Sequence, residues 1–174
     1  KRLIPLFDCA YLGLGESIEK DSAMIRMFAE EGVEMLIALS CSKNFGLYAE
    51  RVGALLILTE SCSIKKSIMS QLKKLVRTNY SNPPKHGVQI VAHILNSDIK
   101  EEWEQELFSM RKRMSQMRSS LSAHLKKHSY LKKGLGMFAL SGLNNFQVKQ
   151  LKEEYAIYMT EDGRMNFCGL NASN

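Results

Sequence analysis

Apolar and polar positions alternate along this chain with periods that shift from segment to segment, and the shifts mark its elements. LIPLFDCAY near the start reads as a short buried strand over 3–8. In DSAMIRMFAEEG, Met24, Ile25 and Phe28 share one helical face, which predicts a helix over about 20–31 with Gly32 as its stop. VEMLIALS (33–40) is nearly continuous in apolar residues, the pattern of a parallel strand covered on both faces, and VGALLILT (52–59) repeats it. Over 62–78, Ile64, Ile68, Leu72, Leu75 and Val76 form a stripe opposite a lysine face. SNPP (81–84) breaks the chain, and a short apolar helix over about 86–96 follows.

The longest regular pattern comes next. Ile99, Trp103, Leu107, Met110, Met114, Met117, Leu121 and Leu125 recur at steps of three and four. They predict one amphipathic helix over 98–127, about 45 Å long at 1.5 Å per residue. Asp98, Glu101, Glu102, Glu104 and Glu106 crowd its start, while Arg111, Lys112, Arg113 and Arg118 lie in its later turns, which suits the helix dipole. Beyond Gly134 the texture changes to a strand over 136–142 and a short helix over 144–155. AIYMT and RMNFCG then read as a hairpin around Glu161-Asp162-Gly163. The order of elements predicts an α/β region over 1–97, then a long helix leading into a smaller α+β region over 98–174.

Composition narrows the function classes. With 174 residues, 45% of them hydrophobic, the chain is long enough for one domain or parts of two. The net charge of +6 is moderate, and the basic run over 111–133 lacks interleaved exposed aromatics, so it reads as a solvated helix face rather than a nucleic-acid site. Cys9, Cys41, Cys62 and Cys168 form no C-x-x-C pair, and three lie in or beside apolar stretches, as expected of buried free thiols in a reducing cytosol. His86, His93, His124 and His128 make no metal-ligand set with them. No apolar run approaches the ~18 residues of a membrane span. The opening KRLIPLFDCAYLG is interrupted by Pro5 and Asp8, with no cleavage site after it, so a cytoplasmic location is expected. Both ends look abrupt, and Asn171, Ser173 and Asn174 would suit the N-cap of a helix that does not follow, so a piece of a longer chain is expected.

One lysine stands out. SCSKNFGLYAERVGA (40–54) places Lys43 at the end of an apolar strand, where desolvating an ammonium is costly. An ordinary loop lysine is the usual fate; the alternative is an amine kept partly dry as a nucleophile toward a carbonyl. Five blocks in order decide between them: FDCAYLG (7–13), SCSKNFGLYAERVG (40–53), RTNYSNPPKHG (77–87), GMFALSGL (136–143) and GRMNFCGL (163–170). Over nearly its whole length the chain resembles the aspartate and aromatic aminotransferases, pyridoxal-phosphate enzymes of fold type I, whose members are roughly twice as long.

The resemblance implies an α/β fold: the end of a large domain with a mostly parallel sheet, a long interdomain helix, and most of an α+β small domain. It implies that Lys43 is the Schiff-base lysine and proton shuttle, that Asp8 partners the pyridinium nitrogen, and that Tyr11 bonds the cofactor's phenolic oxygen. Leu12 departs from the polar residue expected beside that tyrosine. Ser40 and Arg51 match the phosphate ligands; Ser81 would contact the phosphate of a neighbouring subunit in a homodimer with shared active sites. Arg164 would hold the substrate α-carboxylate, and Arg77 the side-chain carboxylate of a dicarboxylic substrate in the neighbour's site. Phe138 would help wall the substrate in. The implied reaction passes an amino group from aspartate, or an aromatic amino acid, to 2-oxoglutarate. A lyase or decarboxylase of the same fold type is the rival reading, against which two carboxylate-suited arginines argue. A non-catalytic piece is the other, because the glycine-rich phosphate turn and the ring-stacking aromatic lie, in the family, upstream of residue 1.

Overall fold

A computed structural model describes residues 3–171. The expected cap residues Ser173 and Asn174 lie outside the described residues. The chain divides into two compact units, residues 1–13 with 17–107 and residues 14–16 with 108–174.

The first unit is built on a three-stranded sheet in the order β1 (Leu6–Cys9), β2 (Met35–Ser40), β3 (Gly53–Leu58). β1 and β2 are parallel, with Asp8 opposite Ala38. Their connection carries two short helices, α1 (Ile18–Asp21) and α2 (Ala23–Glu30), because a parallel pair needs a crossover. Ser22 splits the single helix expected over 20–31: its hydroxyl donates to Ile18 O at 2.6 Å and competes with the backbone ladder. Gly32 does stop α2. At φ +67° it takes the left-handed position, its N–H bonds Ala29 O, and the next N–H, from Val33, bonds Phe28 O, a Schellman closure.

β3 corrects an expectation. It runs antiparallel to β2, from Met35 opposite Leu58 to Ser40 opposite Gly53. Residues 41–52 hold no crossover helix, so the chain can only turn back on itself. Nor is β3 covered on both faces, since Leu55 and Leu56 are 48% and 42% exposed. β1 likewise alternates exposed and half-buried positions rather than being buried. An apolar run reports strand propensity; whether anything covers it is a matter of neighbours. The unit's core gathers on Met35, Ile37 and Leu107, and Phe7 meets Phe28 edge to face at 5.4 Å.

α3 (Cys62–Tyr80) starts on a Ser61 cap, and α4 (His86–Leu95) follows. The apolar stripe of α3 is at best half-buried, and Leu75 is 61% exposed. α5 (Ile99–His124) has 26 residues, about 39 Å, shorter than the helix expected over 98–127. At Leu125 the backbone leaves the helical region (φ −105°, ψ 76°), and residues 126–133 continue as 3-10 turns. α5 belongs to both units, dividing after Leu107.

The second unit pairs β4 (Phe138–Leu140) with β5 (Arg164–Asn166), antiparallel, beside α6 (Asn145–Tyr155). Asn144 and Gln147 form a reciprocal capping box at the start of α6. The hairpin expected between AIYMT and RMNFCG is not formed. The turn is there, with Gly163 N–H bonding Thr160 O at 2.8 Å, but β5 pairs with β4 instead. Ser141 N–H to Gly163 O (2.9 Å) and Phe167 N–H to Met137 O (2.8 Å) extend that ladder beyond both strand ends.

The cysteines are free, Cys9 and Cys41 half-buried and Cys62 and Cys168 exposed, so burial holds for only part of the set. Among the described residues no helix is long and apolar enough to cross a membrane, and no cluster of His, Cys, Asp and Glu could hold a metal ion.

Candidate functional site

Parallel pairing of β1 and β2 puts their carboxyl ends at one edge of the sheet, where open α/β sheets bind ligands. Asp8 lies in β1 and Tyr11 just beyond it; Ser40 ends β2 and Lys43 follows in the next turn. Because β3 returns antiparallel with Gly53 opposite Ser40, Arg51 arrives at the same edge. Five of the residues singled out in the sequence are thereby brought to one place by three short strands.

Lys43 is half-buried, with Nζ 4.9 Å from the centroid of the Tyr11 ring and 6.0 Å from that of Tyr48, within cation–π reach. Ser40 Oγ accepts from the Ser42 N–H at 3.2 Å, which leaves its own O–H to donate. Arg51 is exposed and sits at φ +53°, unusual for a residue with a Cβ. One of its N–H groups donates to Tyr48 O at 2.8 Å, and the rest of the fork remains for an anion. Asp8 is exposed; burial first and the Asp8 carboxylate second push the neighbouring Cys9 thiol above its ordinary value, and burial does the same at Cys41.

Two residues that sequence reasoning did not assign to the site hold the Lys43 turn in place. Asn44 is buried, and its side-chain N–H donates to Leu12 O at 3.1 Å, tying the turn after β2 to the turn after β1. Trp103, read from the sequence as helix packing, donates its indole N–H to Asn44 O at 2.7 Å and stacks on Phe45 with centroids 4.4 Å apart. The signal was an aromatic residue with a polar handle on an otherwise aliphatic stripe. Asn44 Oδ1 is buried with no partner among the described residues.

Arg77 and Ser81 lie at the end of α3, both exposed. Arg77 Nη1 donates to Ser81 Oγ, and Ser81 itself takes φ +69° ahead of Pro83 and Pro84. These two side chains bond each other and none of the five at the sheet edge.

In the second unit, β4 and β5 place Arg164 opposite Leu140 and its guanidinium 5.1 Å over the ring of Phe138. Behind Arg164, the Asp162 carboxylate accepts from the Thr160 hydroxyl and, at 3.1 Å, from the Arg164 N–H. Those bonds, the hydroxyl's first, hold Asp162 below its ordinary value. Beneath the same ribbon lies Arg118, 2% exposed, where the sequence pattern had it in a solvated basic face. Burial pulls its guanidinium below the ordinary value. The missed signal is positional: Arg118 stands four residues after Met114 and three before Leu121, on the apolar stripe.

The family described as aminotransferase class I and II matches residues 1–174. The chain is 44% identical over 178 residues to the aspartate aminotransferase of Pseudomonas aeruginosa, covering 98% of this chain and 45% of that protein. It is 40% identical over 179 residues to the aromatic-amino-acid aminotransferase of the same organism, covering 99% and 45%. The crystal structure of the aromatic-amino-acid aminotransferase from Burkholderia pseudomallei, covalently bound to pyridoxal phosphate, superposes with a TM-score of 0.94 at 46% identity, covering 98% of this chain and 45% of that one. The chain therefore spans under half the length of the relatives it matches.

Proposed function

The chain belongs to the class I and II aminotransferases, and on that premise we propose that it carries the lysine, most cofactor ligands and the carboxylate-binding arginines of an aspartate/aromatic aminotransferase. In this reading the longer protein moves an amino group from aspartate, or an aromatic amino acid, to 2-oxoglutarate. It works in the cytoplasm as a homodimer with shared sites, residues 1–97 closing the large domain and 98–174 forming the interdomain helix and small domain.

The observation that carries the reading is the gathering of Asp8, Tyr11, Ser40, Lys43 and Arg51 at one sheet edge. The donor set fits pyridoxal phosphate. Ser40's hydroxyl and the Arg51 fork are what a phosphate dianion accepts from, and Asp8 is a carboxylate for a protonated ring nitrogen. When bound, that cofactor supplies the aldehyde that takes the amino group and a ring that draws electrons from the substrate carbon. Lys43 would hold the cofactor through its amine, and would move the proton at the substrate Cα. Tyr11, against which Lys43 already rests, would donate to the phenolic oxygen. Arg164 takes the α-carboxylate with Phe138 packed at its side, while Arg77 and Ser81 serve the neighbouring subunit. Two arginines for two carboxylates favour transamination of a dicarboxylate over lyase or decarboxylase chemistry.

The test is to add pyridoxal phosphate, reduce with borohydride and map the modified peptide. A single adduct on Lys43, absent from Lys43→Ala, is expected, with turnover of that variant down by roughly 10²–10⁴-fold. Adducts spread over many lysines, equally in both proteins, would reject the assignment.

A further inference from the structure

Arg118 is a buried cation with no carboxylate against it among the described residues. Its hydrogen-bond partners are backbone carbonyls: Nε donates to Gly136 O at 3.0 Å and Nη1 to Leu131 O at 3.1 Å. Nη2 donates to Leu135 O (3.1 Å), Gly136 O (3.0 Å) and Phe138 O. Below, Cζ lies 4.2 Å from the centroid of the Phe167 ring, which is fully buried. Carbonyl dipoles and a ring face offset part of the desolvation cost that an unpaired guanidinium incurs. A methionine on this stripe would pack without that cost, so the arrangement calls for a reason beyond packing.

What the guanidinium touches supplies one. Its hydrogen bonds run through residues 131–138 and end on the backbone of Phe138, the first residue of β4; its stacking partner Phe167 follows the last residue of β5. One side chain thus clamps both strands of the ribbon that presents Phe138 and Arg164. The clearance is specific to the fork: a Cβ at Gly134 would sit 2.6 Å from Nη1. An arginine spans these acceptors because its N–H groups are planar and divergent, which an ammonium cannot imitate.

We propose that Arg118 is a positioning residue for substrate recognition: it sets the spacing of Phe138 and Arg164, and through them the affinity for the substrate carboxylate. This rests on the reading of Arg164 as a carboxylate ligand. An arginine fork aligned on a carboxylate loses affinity steeply with small displacements, so the effect should fall on binding rather than on proton transfer.

The test uses the full chain with its cofactor and succinate, a dicarboxylate with no amino group to transfer, titrated calorimetrically against Arg118→Lys, Phe167→Leu and Arg164→Gln. Arg118→Lys should weaken succinate about tenfold, near 1.4 kcal/mol, and raise KM to match with kcat within about twofold. Arg118→Ala should weaken succinate further, and added guanidinium should restore part of its affinity but none of that of Arg164→Gln. If Arg118→Lys does not fold, Phe167→Leu carries the same expectation at a smaller size. Wild-type affinity in the folded Arg118→Lys, or in Phe167→Leu where only that variant folds, overturns the proposal. Unchanged affinity in Arg164→Gln instead overturns the reading beneath it, so the two failures are told apart.

Discussion

The turn that carries Lys43 and the ribbon that carries Arg164 are both irregular backbone held by donors from elsewhere in the chain, yet the donors differ in kind. The Lys43 turn is fastened by a neutral amide and an indole, Asn44 to Leu12 O and Trp103 to Asn44 O. The Arg164 ribbon is fastened by a single buried cation acting on carbonyls of 131, 135, 136 and 138. On the proposed reading, neutral donors hold geometry without adding a formal charge beside a reacting amine. A guanidinium holds more carbonyls per side chain, and on the same reading its charge does no harm beside an anionic ligand. The chemistry proposed for each region accounts for the choice of fastener.

The comparison breaks most readily at two glycines, one facing the β2–β3 ladder that carries the Lys43 turn and the other facing Arg118. A Cβ at Gly53 would lie 2.3 Å from Leu39 O, inside the β2–β3 ladder, where no rotamer relieves it. Gly53→Ala should cost about 3 kcal/mol in urea unfolding. At Gly134 the obstacle is the end of the Arg118 side chain, 2.6 Å away. That end is committed to several carbonyls, so Gly134→Ala should still cost about 2 kcal/mol. A loss near zero would mean that Arg118 can move aside, and the contrast between a ribbon held by a cation and a turn held by neutral donors would go with it.

Trp103→Phe sharpens the contrast at intermediate size. It keeps a ring against Phe45 and removes only the indole donor, so about 1 kcal/mol is expected. Hydrogen exchange should quicken over residues 41–47 while the amides around β5 keep their rates. Uniform quickening across both units would show that the indole bond supports general stability rather than this turn.

The smallest effect is in the turn before Arg164. Asp162 is held below its ordinary value of 3.8 by the Thr160 hydroxyl and then the Arg164 N–H. A depressed folded value means that the bonds contribute fully above pH 3.8 and are lost as the pH falls through the lower folded value. The Arg164 amide resonance should therefore titrate with a midpoint below 3.8, and the step should vanish in Asp162→Asn. A midpoint at or above 3.8 would mean that the turn does not hold the carboxylate.

Much of this was legible from the chain alone, and the illegible part has a common cause. Periodicity located α3, α4, α6 and the body of α5, and the Ser61 and Asn144 caps and the Gly32 stop are local chemistry that acts within one turn. The five ordered blocks identified the family, and residue spacing put Lys43 at a strand end. The apolar run of β3 carries no sign of strand direction; the missing crossover over 41–52 does. The partner of β5 is not legible in its own residues, because pairing depends on which strand lies alongside, and β4, pinned by Arg118, does.

Arg118 shows the boundary most sharply. Residue type made it a surface cation; its place on the Leu107–Met114–Leu121 stripe made it a core residue, and the core won. Local sequence determined the helices, their caps and the identity of the chemical groups, because those depend on neighbours within a few residues. Only the tertiary structure decided which carbonyls Arg118, Asn44 and Trp103 would satisfy. Those acceptors lie 13 to 59 residues away along the chain and come within bonding distance only once the strands have paired.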